Sequence, residues 1–139
     1  MSRRGARART VASIGEPASE HDLQVQIVTW ARLASATHRE LRLLHAIPNS
    51  GAGGQRGRAG WLRAEGVLAG VPDLCLPVAR SGWHGLYLEL KARRGRISPE
   101  QSRWHVDLVA EGYAVAVVRS FEGARSVLLD YLDGLDTRP

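Results

Sequence analysis

The chain has 139 residues, with 19 Lys plus Arg against 14 Asp plus Glu, a formal charge of +5 and a pI near 10.3. That length suits one domain with its own core; one cysteine excludes an internal disulfide, and no apolar run approaches the roughly 20 residues that span a bilayer. The basic balance suits a polyanion such as nucleic acid, although a GC-rich genome also enriches arginine.

Residues 1–18 carry SRRGARART without the apolar segment of a secretory signal, so they read as a disordered basic arm, either touching phosphates or simply solvated. Residues 19–139 read as a single domain. Ser19 and Asp22 form a capping arrangement ahead of Leu23, Ile27, Trp30 and Leu33, whose spacing predicts a helix from Glu20 to about Ala36. The run LRLLHAI predicts a short buried strand, ended by the glycine-rich loop PNSGAGG. RGRAGWLRAE suits a short helix stopped at Gly66. PDLCLPVA and GLYLELKA, separated by RSGW, predict a β-hairpin. Ser98, Pro99 and Gln101 spell an N-cap, a first-turn proline and a capping box, and Gly112 suits the end of that helix. YAVAVVR is then a strand, and Ser120 caps a last helix bearing Ala124, Val127, Leu128 and Leu132. The order αβ(α)ββαβα predicts an α/β fold with a mixed sheet flanked by helices.

The stretch LYLELKARRGRISPEQ holds Lys91, the single lysine in a chain whose other basic residues are all arginine. A hairpin turning around Ser81 sets Asp73 opposite Glu89 and Leu74 opposite Leu88. Alternation then gives the core Leu74, Leu76, Leu86, Leu88 and Leu90, and gathers Asp73, Cys75, Tyr87, Glu89 and Lys91 on the other face. Like charges facing each other across a sheet call for a cation. Mg²⁺ or Mn²⁺ is the natural candidate, since hard ions take carboxylate oxygens and keep positions for water and a phosphate. Lys91 can orient or deprotonate an attacking water, whereas a guanidinium stays protonated. Taken alone, a Glu-x-Lys at a strand end is equally a surface ion pair of little worth.

EHDLQ, PNSGAGG, GVPDL at 70–74, LELK at 88–91, SPEQSRW and EGYAVAVVRS, in this order, resemble the VRR-NUC domain, the virus-type replication and repair nuclease module of the PD-(D/E)xK nucleases. The resemblance covers roughly residues 19–133 and implies a restriction-endonuclease-like fold and metal-dependent hydrolysis of DNA. It implies that Asp73, Glu89 and the Leu90 carbonyl bind the metal, that Glu20 joins them, and that Lys91 serves the water. Gln24 lies one turn after Glu20 and can reach the same site or simply face solvent. Gln101 matches the family's glutamine and also closes the capping box. Asn49 matches a polar position in the loop after the first strand, where a turn-forming asparagine is the competing account.

Arg56, Arg58 and Arg63, and then Arg93, Arg94, Arg96 and Arg103, flank the site in sequence and can grip phosphates, which positions DNA without reading its sequence. The resemblance further implies a homodimer that acts on branched DNA such as four-way (Holliday) junctions in repair; the single cysteine and the lack of a spanning apolar run suggest the cytoplasm of a bacterium or a phage-infected cell. Neither a membrane nor an organic cofactor is expected. Two competing readings are a DNA-binding module that keeps the fold without turnover, and a scaffold whose acids form an incidental ion pair. The five histidines show no metal-ligand spacing, Cys75 reads as packing, and the tryptophans read as core or interface, with base stacking by Trp61 or Trp83 as the alternative.

Overall fold

The computed structural model describes residues 19–48 and 56–135. The described elements are α1 (Glu20–Ala34), a 3-10 helix (Arg39–Leu43), β1 (His45–Ala46), α2 (Arg56–Ala64), β2 (Leu74–Leu76), β3 (Leu86–Leu90), α3 (Pro99–Ala110), β4 (Ala114–Val118) and α4 (Phe121–Leu132). The strands form one sheet in the order β1-β2-β3-β4, with the first two pairings antiparallel and β3 parallel to β4. The parallel pair needs a long crossover, which α3 supplies. The fold is therefore the mixed α/β sheet with flanking helices that the element order implied.

The hairpin sits where the sequence puts it. Ser81 and Gly82 both take positive φ, 50° and 85°, so the link is a primed two-residue turn whose twist matches its strands. Leu74 pairs with Leu88, Cys75 with Tyr87 and Leu76 with Leu86. The leucines of one face are buried with Leu23, Ile27 and Ala31 of α1 and Ala124, Leu128 and Tyr131 of α4. The opposite face lies under α3.

Two sequence expectations are corrected. The LRLLHAI run is not one buried strand: Arg39–Leu43 is 3-10 helix, and β1 is reduced to His45 and Ala46, both exposed. Leu41 is the single buried residue of the 3-10 segment, so the apolar run serves one anchor packed beside α1 rather than an alternating face. In α1 the buried row is Leu23, Ile27 and Ala31, while Leu33 is 75% exposed. At about 100° per residue, position 33 has rotated well off that row, whereas 31 has stayed on it.

The caps hold as read. Ser19 Oγ accepts from the Asp22 amide at 3.1 Å, Ser120 Oγ accepts from Gly123 at 3.0 Å, and the Ser98–Gln101 capping box is complete. At the far end of the sheet, the buried Tyr131 hydroxyl donates to the Val78 carbonyl at 2.6 Å and ties α4 to the hairpin. Replacing Tyr131 with Phe leaves that carbonyl unpaired and is expected to cost about 1–2 kcal/mol. Urea unfolding should show a lower midpoint at an unchanged slope.

Candidate active site

Asp73 enters β2 already held on both sides. Its amide donates to Leu88 O at 3.0 Å and its carbonyl accepts from Ile47 N at 2.8 Å, so β1 and β3 fix its backbone. Its side-chain Oδ2 accepts from the Leu90 amide at 2.7 Å. Glu89, on the neighbouring strand, is 1% exposed, and Lys91, whose amide donates to Val118 O at 3.0 Å, is 8% exposed. Lys91 Nζ lies 3.9 Å from Glu89 Oε1. The hairpin register thus brings two carboxylates and the ammonium together on the face away from the leucines.

Helix α3 closes over them. Gln101 uses both ends of its amide: Oε1 accepts from Ser98 N at 2.9 Å, and Nε2 donates to Glu89 Oε1 at 2.7 Å. The capping and site readings of this residue are therefore compatible in one rotamer. Four residues later on the same helix face, His105 Nε2 stands 3.4 Å from Glu89 Oε2. Sequence reasoning missed His105 because it looked for metal-ligand spacing; the signal present was its i+4 relation to Gln101. Gly70 lets the loop reach this helix. Its φ is +89°, and a Cβ there would stand 2.9 Å from the Glu100 backbone.

Glu20, the first residue of α1, accepts from the Ala92 amide at 3.4 Å, one residue past Lys91. Gln24 is half-buried. Arg63, Arg93, Arg94 and Arg96 are exposed, and Arg103 is exposed opposite Glu100 at 3.8 Å. Asn49 and its loop, together with the side chains of Arg56 and Arg58, lie outside the described residues, as does the 1–18 arm. Arg119 was not anticipated. Its Nη1 donates to Ala92 O at 3.0 Å and Gly95 O at 2.7 Å, holding the loop that follows Lys91.

The model of the VRR-NUC domain family matches residues 7–122, beginning inside the segment read as an arm. The chain belongs to the VRR-NUC domain family. A solved structure of a VRR-NUC domain protein superposes with a TM-score of 0.67 at 25% identity, covering 85% of this chain and 91% of the other. Among curated proteins no sequence matches. Membership implies a nuclease-type function directed at DNA. No described helix is long and apolar enough to cross a membrane.

In this VRR-NUC domain, burial is the main force on the carboxylates. Burial pushes the Glu89 carboxyl up to about 8, helped by the negative charge of Asp73 and opposed by Lys91. Asp73 is also raised, first by burial, against the lowering effect of the Leu90 amide. Glu20 adds negative charge to both. His105 is lowered, first by burial and then by Lys91, which favours the neutral imidazole. Burial raises the Cys75 thiol away from the reactive range, in keeping with packing.

Among the described residues no three His, Cys, Asp or Glu side chains converge as a ready metal cage. The site offers a tight carboxylate pair with Glu20 set apart against the Ala92 amide. Such a pair suits Mg²⁺ or Mn²⁺, because a hydrated hard ion takes one or two carboxylates, and two crowded acids call for positive charge.

Because the Glu89 carboxyl is raised in the fold, its contribution to stability is present below its unfolded value of 4.5 and lost as pH rises through about 8. Glu89→Gln mimics the protonated form at every pH. In EDTA, the unfolding temperature of this variant relative to the parent protein should therefore rise steadily from pH 5 to pH 8.5. A difference that stays constant across this range would contradict the raised carboxyl.

Proposed function

We propose that this chain is a divalent-metal-dependent DNA endonuclease that hydrolyses phosphodiester bonds in branched DNA, four-way junctions included, and works as a two-fold homodimer. The observation that carries the reading is the pair formed by buried Glu89 and half-buried Asp73 beside the chain's single lysine. A fold selected only to bind an anion has no use for two carboxylates facing it, whereas phosphodiester hydrolysis needs such a pair to hold a cation.

Asp73, Glu89 and the Leu90 carbonyl are the ligands in this reading, with Glu20 supplying further negative charge. The bound ion polarises the phosphodiester and lowers the pKa of a water. The protein's own groups do the rest. Gln101 orients Glu89 through its amide, and the Leu90 amide orients Asp73. Lys91 faces Glu89 and meets the attacking water or the non-bridging phosphate oxygens, where a compact ammonium with three donors fits better than a planar fork. The exposed arginines after β3 take phosphates on either side of the break, a backbone grip that favours shape over sequence. One carboxylate pair cuts one strand at a time, so paired cuts across a junction call for two copies related by a two-fold axis.

Cleavage of labelled duplex, flap and four-way DNA with Mg²⁺, Mn²⁺ or EDTA tests this directly. Cutting should require metal and favour branched forms, and Lys91→Ala should lower the rate by about 10²–10⁴-fold. Lys91→Arg should not restore it. Binding without cutting under every condition would instead make the chain a DNA-binding module, and equal rates on all forms would remove the branch preference. Light scattering that finds a monomer at working concentration would overturn the dimer.

A further inference from the structure

Buried Glu89 has two oxygens, and α3 addresses both. Gln101 Nε2 donates to Oε1 at 2.7 Å, on the side where Lys91 Nζ stands 3.9 Å away. Oε2 is faced by His105, whose Nε2 lies at 3.4 Å and whose side chain keeps only 17% of its surface in water. The two groups reach from one face of the helix, four residues apart. His45 and His84 show the contrast: both are exposed, the first turned to the Leu43 carbonyl and the second set edge-on against Tyr113.

The rotation of α3 about its axis is set by contacts that lie outside this pair. The capping box fixes the first turn, Trp104 Nε1 donates to Ala69 O at 3.2 Å, Gly70 lies against the backbone of Glu100 and Gln101, and Leu108 is buried one turn on. His105 is therefore delivered to Glu89 by the fold. Imidazole chemistry suits the position. Facing an ionised carboxylate, a neutral ring avoids opposed lone pairs by carrying its proton on Nε2, which makes it a donor. Burial and the charge of Lys91 both favour the neutral ring. Such a donor orients the acid without cancelling its charge, whereas a further cationic side chain would compete with a metal ion for the same oxygens.

We infer that His105 is a positioning residue of the metal site: together with Gln101 it forms a two-pronged clamp that fixes both oxygens of Glu89 in the orientation a divalent ion meets. The inference rests on the nuclease reading and deepens it, since that reading gives the orientation of Glu89 to Gln101 alone. His105 acts through Glu89 rather than on the ion. Groups that hydrogen-bond a metal-ligating carboxylate set its direction before the ion arrives, and so raise affinity without adding a ligand.

Titration of the full chain with Mn²⁺ in the absence of DNA, followed by the electron paramagnetic resonance of the free ion, tests this. His105→Phe keeps a flat ring but removes the donor, and should weaken Mn²⁺ binding about 10–100-fold, the range for losing a group that orients a ligand. His105→Gln returns an N–H near the place of Nε2 and should recover most of that affinity. If the phenyl ring prevents folding, His105→Ala serves as the variant without a donor, with the same loss expected. In cleavage assays the loss should fall on kcat, with the KM for DNA close to that of the unaltered protein, and added metal should restore part of the rate. Unchanged Mn²⁺ affinity in the donorless variant would overturn the assignment, as would a loss in His105→Gln as deep as in His105→Phe. Unaltered protein that binds Mn²⁺ but cuts no DNA removes the nuclease reading and leaves the affinities to decide the clamp; unaltered protein that binds no Mn²⁺ overturns the clamp together with the metal site.

Discussion

The constraint on which the rest depends is the burial of a carboxylate against another carboxylate. The hairpin cannot set its five leucines into the core without turning Asp73 and Glu89 toward each other on the opposite face, because alternation allows no other arrangement. Two like charges at that distance from water are destabilising, and the surrounding structure is organised to reduce that penalty. The Leu90 amide serves Asp73; Gln101, His105 and Lys91 serve Glu89; and the remaining imbalance pushes both carboxyls toward protonation. A carboxyl pair that burial and like charge push toward protonation is one that a divalent cation can also compensate.

The same constraint explains why α3 begins where it does. Gln101 satisfies the Ser98 amide and Glu89 with one side chain, so the capping box that starts the helix also aims the donor at the carboxylate. Gly70 then matters for packing rather than for flexibility alone. Any side chain there would lift the loop that leads into Asp73 away from the first turn of α3, and would disturb the cap and the site together. Arg119 extends the arrangement to the other side of Lys91, where its guanidinium fastens two carbonyls of a loop whose own sequence is rich in arginine and glycine.

What was legible in the sequence follows from how local each signal is. The turn at Ser81 and Gly82, the pairing of Leu74 with Leu88 and the cap at Ser98 are set within a few residues, and all three were readable. The meeting of Asp73 with Glu89 was readable for the same reason, since one turn fixes the register of a whole hairpin. Gln101 could be placed on a helix start, but its reach to Glu89 required knowing that α3 crosses over that face. Arg119 was invisible because its partners are chosen by tertiary packing, and His105 showed only its i+4 relation to Gln101, which carries no meaning until the reach of α3 to Glu89 is known. The LRLLHAI run misled because an apolar run without alternation fits a buried strand or a single anchored turn equally well. Only the position of α1 decides for the turn, by taking Leu41 and leaving Leu43 in water.

The lone lysine fits this division of labour. Arginine occupies exposed positions around the site, where a weakly hydrated, always charged fork is suited to phosphate and loses little by staying in solvent. Position 91 is different, because its side chain is nearly buried and stands beside a carboxylate that is itself poorly solvated. A guanidinium there would span both acids with its planar donors and form the bidentate pair that neutralises them permanently. An ammonium presents one compact charge, lowers the penalty without saturating the oxygens, and leaves room for a cation and a water. The choice of lysine at this one position therefore keeps the acids weakly compensated, which is what the proposed metal site would require.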